Sequence, residues 1–341
     1  MRKAPTRLAL VLITCVTAAC GNPQAQYPPQ GSTQHIPGGV QPPAYGYAYP
    51  QQQVQPAVLP VPMEQRPALM LPPPQPVMAS VTDHAVFTAS SAPAINAASY
   101  ILVDAASGQT LVSRNADVAR GVASTQKILT ALVVLDAGNL DKKVTVQASD
   151  VRVEPTVLGL RAGQVYTRRN LLYAFLIKSA NDVANVLARD NAGSVSAFAA
   201  KMNAKARSLG ATNSSFRNPH GLTAGGQYST ARDMARIAMA AYRSSVIRDA
   251  VKRRYYTFIR GDGRRLTLEN TNEILGRMAE CNGMKTGYTN AAGRCLISTA
   301  SRGGRAVILV QLGTKTKYIW NDGITLMNWG LQRARGAFAM N

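Results

Sequence analysis

Apolar positions along this chain keep different rhythms in different stretches, and each rhythm marks a region. Ser99 to Asp104 (SYILVD) and Thr110 to Arg114 are short β-rich runs on either side of Ser107-Gly108, the pattern of a hairpin closed at a glycine turn. Ile128 to Leu135 is almost continuously apolar and the run stops at Gly138, as expected of a buried helix that starts near Ser124 and ends at that glycine. Further helices are predicted over Arg169 to Lys178, Asp182 to Asp190, Val195 to Leu209 and Thr230 to Tyr242, the last opened by Ser229 or Thr230 as cap. The last third returns to β-rich runs at Arg254 to Arg260, Met284 to Thr289, Arg294 to Ala300 and Arg305 to Leu312, then closes on a helical pattern from about Asn321 to Ala337.

Strands at both ends with helices between them predict an α/β fold of the α+β type. Its sheet is mostly antiparallel, is built from N- and C-terminal strands and is flanked by helices, and the middle of the chain is all-helical. Residues 84–341 carry this pattern and form the expected folded domain. Ahead of it, residues 21–83 are rich in Pro, Gln, Tyr and Ala with almost no charge. Such a segment cannot bury enough apolar surface to offset its ordering entropy, so an extended, partly polyproline spacer is expected.

Residues 1–20 have the layout of a secretory signal peptide: Arg2, Lys3 and Arg7, an apolar run from Leu8 to Ala19 too short to span a bilayer, then small residues before Cys20. Thr17-Ala18-Ala19-Cys20 resembles a bacterial lipobox, in which the cysteine is lipidated and becomes the new N-terminus, although Thr17 stands where an aliphatic residue is usual. Lipidation at Cys20 and plain signal cleavage share the same upstream physics. Either predicts export to the periplasm or cell envelope, and the lipid would add attachment to a membrane.

From residue 84 onward 34 basic and 15 acidic residues leave a net charge of +19. That charge suits polyanionic surroundings or a substrate with free carboxylates. The basic residues do not gather into an arm or alternate with aromatics, which are only 6% of the chain, so no nucleic-acid partner is expected. His35, His84 and His220 lie far apart without metal-ligand spacing, which argues against a zinc peptidase. With Cys15 and Cys20 assigned to the signal, Cys281 and Cys295 remain. A hairpin turning near Asn290 to Ala292 would not set them side by side, so two buried thiols are expected.

Three short motifs carry the chemistry: Ser124-Thr-Gln-Lys127, Ser179-Ala-Asn181 and Lys285-Thr286-Gly287. Ser-x-x-Lys or Ser-x-Asn alone occurs by chance roughly once in such a chain, and a second Ser-x-Asn indeed stands at Ser113 to Asn115. The set in this order is far rarer, and it describes serine acyl transfer without histidine. Residues three apart on a helix share a face, so Lys127 can bring its amine to the Ser124 hydroxyl and act as general base if burial and a nearby cation disfavour its charge. Ser179 can relay a proton to the leaving amine, and Asn181 can hold Lys127 or a substrate amide. Lys285 offers a cation, Thr286 a hydroxyl for a terminal carboxylate, and Gly287 room for a substrate along the strand edge. The Ser124 and Tyr288 amides can form an oxyanion hole. The scheme needs no metal and no cofactor.

With these motifs and with Ala123 to Thr130, Asn218-Pro-His-Gly-Leu222, Tyr228 to Asp233, Met284 to Thr289, Ala292 to Leu296 and Gly313, the chain resembles the serine D-alanyl-D-alanine carboxypeptidases. These are the low-molecular-mass penicillin-binding proteins, with a β-lactamase/transpeptidase-like fold. The resemblance covers roughly Ala98 to Gly330. It implies removal of the terminal D-alanine from peptidoglycan stem peptides through an acyl-enzyme, with β-lactams as covalent inhibitors, and it assigns the roles given above to Ser124, Lys127, Ser179, Asn181, Lys285 and Thr286. Two departures stand out. Ser179-Ala180-Asn181 replaces the usual Ser-Gly-Asn, and after Gly313, where many relatives place a carboxylate-binding arginine, this chain has Lys315, Lys317 and Trp320. Many relatives also carry a C-terminal anchor. Here the chain ends at Asn341, and an N-terminal lipid would take the anchor's place.

A D,D-endopeptidase that cuts crosslinks shares every one of these residues. A noncatalytic penicillin-binding wall lipoprotein is the alternative from another class. A β-lactamase fits less well, because Glu154 lies in no matching Glu-x-x-Leu-Asn context.

Overall fold

The Ser99–Asp104 run is buried along its whole length, which places it inside a sheet with both faces covered rather than at an edge. The computed structural model describes residues 92–334, all within the second of the two units into which the chain divides, Pro72–Asn341. Its main sheet has five strands in the order β2-β1-β9-β8-β7, every neighbouring pair antiparallel. The strands are β1 (Ser99–Asp104), β2 (Thr110–Arg114), β7 (Cys281–Thr289), β8 (Gly293–Arg302) and β9 (Arg305–Thr314). N- and C-terminal strands meet at β1 and β9, with Ile101 opposite Val310 and Leu102 opposite Leu309. β7 lies at one edge of the sheet.

Side chains alternate across a strand, and the two faces fill two separate cores. Ile101, Val103, Ile297, Ile308 and Val310 pack with the helical middle of the chain. Leu102, Leu296, Val307 and Leu309 pack on the other face, under Ile319 and Leu326 of α7 (Thr316–Leu331). The helical middle comprises α1 (Lys127–Asp136), α2 (Arg168–Lys178), α3 (Asn181–Ala192), α4 (Val195–Ser208), α5 (Ala231–Arg243) and α6 (Ser245–Val251). Thr167, Ser194, Thr230 and Ser244 cap α2, α4, α5 and α6 through their side chains. The entry to α1 is different. It follows a single 3-10 turn, Ala123–Gln126, with no side-chain cap, so its first amides are not taken up by a capping residue. Gly138, at φ +60°, ends the turn that closes α1.

Several expectations need correction. The run at Arg254 to Arg260 does not join the main sheet. As β5 (Tyr255–Ile259) it pairs only with β6 (Arg265–Glu269), which the hydrophobic pattern did not mark. A second two-stranded ribbon, β3 (Lys143–Thr145) with β4 (Val165–Thr167), and the short α6 were also not read, because three-residue strands and a two-turn helix carry too little period to register. The final helix begins at Thr316, five residues before the expected start, and ends at Leu331. Lys315 to Trp320 has no apolar period of its own, but Ile319 is buried against the sheet and draws the segment into the helix. Residues 335–337 of the expected helix lie outside the described residues, as do Cys20, the signal and the spacer. Cys281 and Cys295 are free, buried thiols, as expected. They stand opposite Ala300 and Gly287 in the β7–β8 ladder and so are not neighbours.

Candidate active site

Ser124 occupies the 3-10 turn ahead of α1, and Lys127 is the first residue of that helix, with no exposed surface. The three-residue spacing places the Lys127 Nζ 2.8 Å from the Ser124 Oγ. The same amine donates to Asn181 Oδ1 at 2.7 Å and to the main-chain oxygen of His220 at 2.6 Å. The Ser124 hydroxyl also lies 3.2 Å from that oxygen. Among the described residues each hydrogen-bond partner of the amine is a neutral oxygen. Burial, reinforced by the charge of Lys285, pushes the Lys127 pKa well below its ordinary 10.5.

Asn181 opens α3 immediately after α2. The link is Ser179, which holds φ +65° and closes α2 by donating its amide to Phe175 O at 3.0 Å. That left-handed turn reverses the chain so that Ser179 faces the cleft while Asn181 is buried beside Lys127. Asn181 Nδ2 donates to Pro155 O, and its backbone amide donates to Thr156 O at 2.8 Å, so both ends of the residue are tied to one loop. Asp182 fixes that loop. Its buried carboxylate accepts the amides of Leu158, Gly159 and Leu160 at 3.0, 3.0 and 3.1 Å.

On the edge strand β7, Lys285 is buried and donates to Thr286 O at 2.9 Å. Burial brings its pKa down to about 7. Thr286 Oγ1 lies 2.6 Å from Thr271 Oγ1. Gly287 abuts the nucleophile turn, since a Cβ there would fall 2.7 Å from the Ser124 amide nitrogen. Glycine is required by that close approach, which also brings the Gly287-Tyr288 backbone beside the Ser124 amide. Tyr288 is exposed. A cleft of about 840 Å³ opens over these groups, with Ser124, Ser179, Thr286, Gly287 and Tyr288 on its walls.

All eight residues singled out by the motifs therefore converge, six on or beside the cleft and Lys127 and Asn181 behind its wall. The stray Ser113 to Asn115 match lies at the far edge, where Asn115 Nδ2 donates to Ala98 O. Three contributors were not read from the sequence. The His220 carbonyl is the shared acceptor for amine and hydroxyl, and the Asn218-to-Leu222 motif was the available signal for it. Its ring, by contrast, is held neutral: burial, then the charge of Lys127, takes its pKa down to about 3. Thr271 and Arg294 also line the cleft. Of the three residues found where an arginine is usual, only Trp320 reaches the cleft wall; Lys315 and Lys317 do not.

A hydroxyl backed by a buried amine whose pKa is pushed well below the ordinary value, beside a strand edge, can accept an acyl group and pass it to water. A family model described as D-alanyl-D-alanine carboxypeptidase matches residues 86–316. The chain belongs to that family. DacB2, a D-alanyl-D-alanine carboxypeptidase of Mycobacterium tuberculosis, is 38% identical over 240 residues, 69% of this chain and 82% of the relative. A D-alanyl-D-alanine endopeptidase of Escherichia coli is 34% identical over 258 residues, 73% of this chain and 82% of the relative. The crystal structure of a D-alanyl-D-alanine carboxypeptidase from Mycobacterium tuberculosis superposes with a TM-score of 0.68 at 35% identity, covering 72% of this chain and 97% of that one. The D-alanyl-D-alanine carboxypeptidase family is a family of serine peptidases, and this member's mixed sheet-and-helix architecture matches its solved relatives.

Proposed function

We propose that this D-alanyl-D-alanine carboxypeptidase removes the terminal D-alanine of peptidoglycan stem peptides through an ester on Ser124. The observation that carries the reading is the coordination of Lys127 Nζ. A neutral amine has two N–H bonds and one lone pair. Nζ donates to Asn181 Oδ1, His220 O and Ser124 Oγ; once one proton is lost, the first two oxygens keep its hydrogens and the lone pair faces the Ser124 hydroxyl at 2.8 Å. Ser124 gives its proton to Lys127 as its oxygen attacks the scissile carbonyl, and the amides of Ser124 and Tyr288 receive the oxyanion. Ser179, on the cleft wall, passes the proton to the departing D-alanine amine. Water then attacks the ester with Lys127 again as base. Lys285 and Thr286 bind on the strand side. β-Lactams acylate the same oxygen.

Incubation with a stem pentapeptide is expected to release free D-alanine, and Ser124→Ala to abolish it. Unchanged release from that variant overturns the mechanism. Labelled penicillin is expected to add its mass at Ser124, and no adduct there would leave the noncatalytic reading standing. The endopeptidase similarity supports a second reading with the same chemistry. Crosslinked muropeptide dimers separate the two, since only an endopeptidase makes monomers from them.

The charged and apolar layout of residues 1–20 supports export to the cell envelope, with Cys20 as the lipid acceptor. Among the described residues no helix is long and apolar enough to cross a membrane. Lipid labelling lost in Cys20→Ala, with a matching change of electrophoretic mobility, is the expected result.

A further inference from the structure

The net charge of the domain suits a substrate with free carboxylates, yet no cation other than Lys285 was assigned to receive one. The cleft wall carries three arginines, Arg254, Arg277 and Arg294. Two already have acids: Arg277 pairs with Glu273, and Arg254 lies 4.0 Å from Glu269. Arg294 is different. Among the described residues its contacts are the Thr316 hydroxyl, which accepts from its Nε at 3.0 Å, and the Tyr288 ring, whose centroid lies 4.6 Å from its guanidinium carbon. These contacts hold the guanidinium over an aromatic face and use one of its five N–H groups, leaving the two terminal nitrogens for a planar anion.

The β7–β8 register decides what that anion is. Arg294 stands directly opposite Tyr288, and Leu296 stands opposite Thr286. Residues two apart share a face of the strand, so Thr286, Tyr288, Leu296 and Arg294 all project to the α7 side of the sheet. Gly287 and Cys295 face the other way, toward the nucleophile turn. The side chains of Thr286 and Arg294 therefore stand on one face, their backbone positions offset by about 7 Å along the strand direction. Thr286 Oγ1 donates to Thr271 Oγ1 at 2.6 Å, and rotation of its hydroxyl turns that hydrogen toward a carboxylate in the cleft. Lys178, the remaining cation on the wall, sits beside Ser179 at the end of α2, on the helical side.

We infer that Arg294, with Thr286, binds the free carboxylate of the residue that leaves, and so sets the preference for a peptide with an uncapped C-terminal D-amino acid. Trp320, one of the three residues found where relatives usually have an arginine, lines the same cleft, and the positive charge comes from β8 instead of from the start of α7. This inference rests on the peptidase reading above and adds a substrate-binding residue to it.

The test compares two peptides ending in D-Ala-D-Ala, one a free acid and one a C-terminal amide, on wild type, Arg294→Gln and Arg294→Lys. In Arg294→Gln, kcat/KM for the acid is expected to fall about 10- to 100-fold, the loss typical of a charge-assisted hydrogen bond, with little change for the amide. The acid-to-amide ratio thus collapses, and Arg294→Lys recovers part of it. A folded Arg294→Gln protein that keeps the wild-type ratio overturns the assignment, as does a collapse produced by Lys178→Gln or Arg277→Gln instead. Calorimetric binding of the same two peptides in a Ser124→Ala background reads the preference without hydrolysis. Wild type that cleaves neither peptide but binds the acid through Arg294 refutes the peptidase reading and leaves the carboxylate site intact. Equal binding of acid and amide refutes the site.

Discussion

Lys127 Nζ sits 2.8 Å from Ser124 Oγ with no carboxylate among its partners. A lysine paired to an acid stays charged and cannot take a proton. One held only by an amide oxygen and a carbonyl, inside an apolar helix start, can. Lys127→Ala is expected to lower the acylation rate by about 10² to 10⁴, the usual contribution of a general base. Lys127→Arg should do no better, because a guanidinium does not deprotonate. Stopped-flow acylation by a fluorescent penicillin measures both.

The acid limb of the kcat/KM profile reports that amine. Burial is the main cause of its lowered pKa, and the positive charge of Lys285 lowers it further. Replacing Lys285 by Met removes the second influence, so the Lys127 pKa should rise and the acid limb should move to higher pH. A limb that stays in place or moves down would show that the two lysines do not interact as described. The profile is best read with an activated thioester, so that weakened binding does not hide the shift.

Gly221 holds φ +89°, and a Cβ there would fall 2.2 Å from Ala123 O. Gly221→Ala therefore forces the Asn218-to-Leu222 loop away from the nucleophile turn and takes the His220 carbonyl with it. A stability loss of at least about 1–2 kcal/mol is expected from the backbone conformation alone. Acylation should fall more than thermal stability explains, which a melting curve and a penicillin-labelling rate will show together.

The His220 ring is neutral in the fold, with its pKa at about 3 against an ordinary 6.5. The unfolded chain therefore binds more protons between these values, and stability present above pH 6.5 is lost as pH falls toward 3. Urea midpoints of His220→Asn, taken over that window, should show a shallower fall than wild type. A parallel fall would assign the acid sensitivity to other groups.

Asp182 gathers three loop amides onto one buried carboxylate. Truncation to Ala leaves those amides without a partner and is expected to cost about 3 kcal/mol or more, while Asp182→Asn, with one acceptor oxygen kept, costs less. Because the same loop receives Asn181 Nδ2 at Pro155 O, turnover should drop alongside the melting temperature.

Local pattern carried much of this protein. The β1–β2 hairpin agrees residue for residue with its sequence reading, and α2 to α5 agree to within two residues at either end, because periodic burial and side-chain caps act over one or two turns. The serine, amine and strand motifs were legible for the same reason: three-residue spacing on a helix and alternation on a strand are properties of the segment itself. Only the tertiary structure decided that the β5 run leaves the main sheet, that a main-chain oxygen of His220 completes the coordination of Lys127, and that Arg294 shares a strand face with Thr286. The His220 contact joins residues far apart in sequence, whereas the other two follow from which strands pair and in what register. A carbonyl has no residue identity to read, and strand register is set only when the cores on both faces of the sheet close.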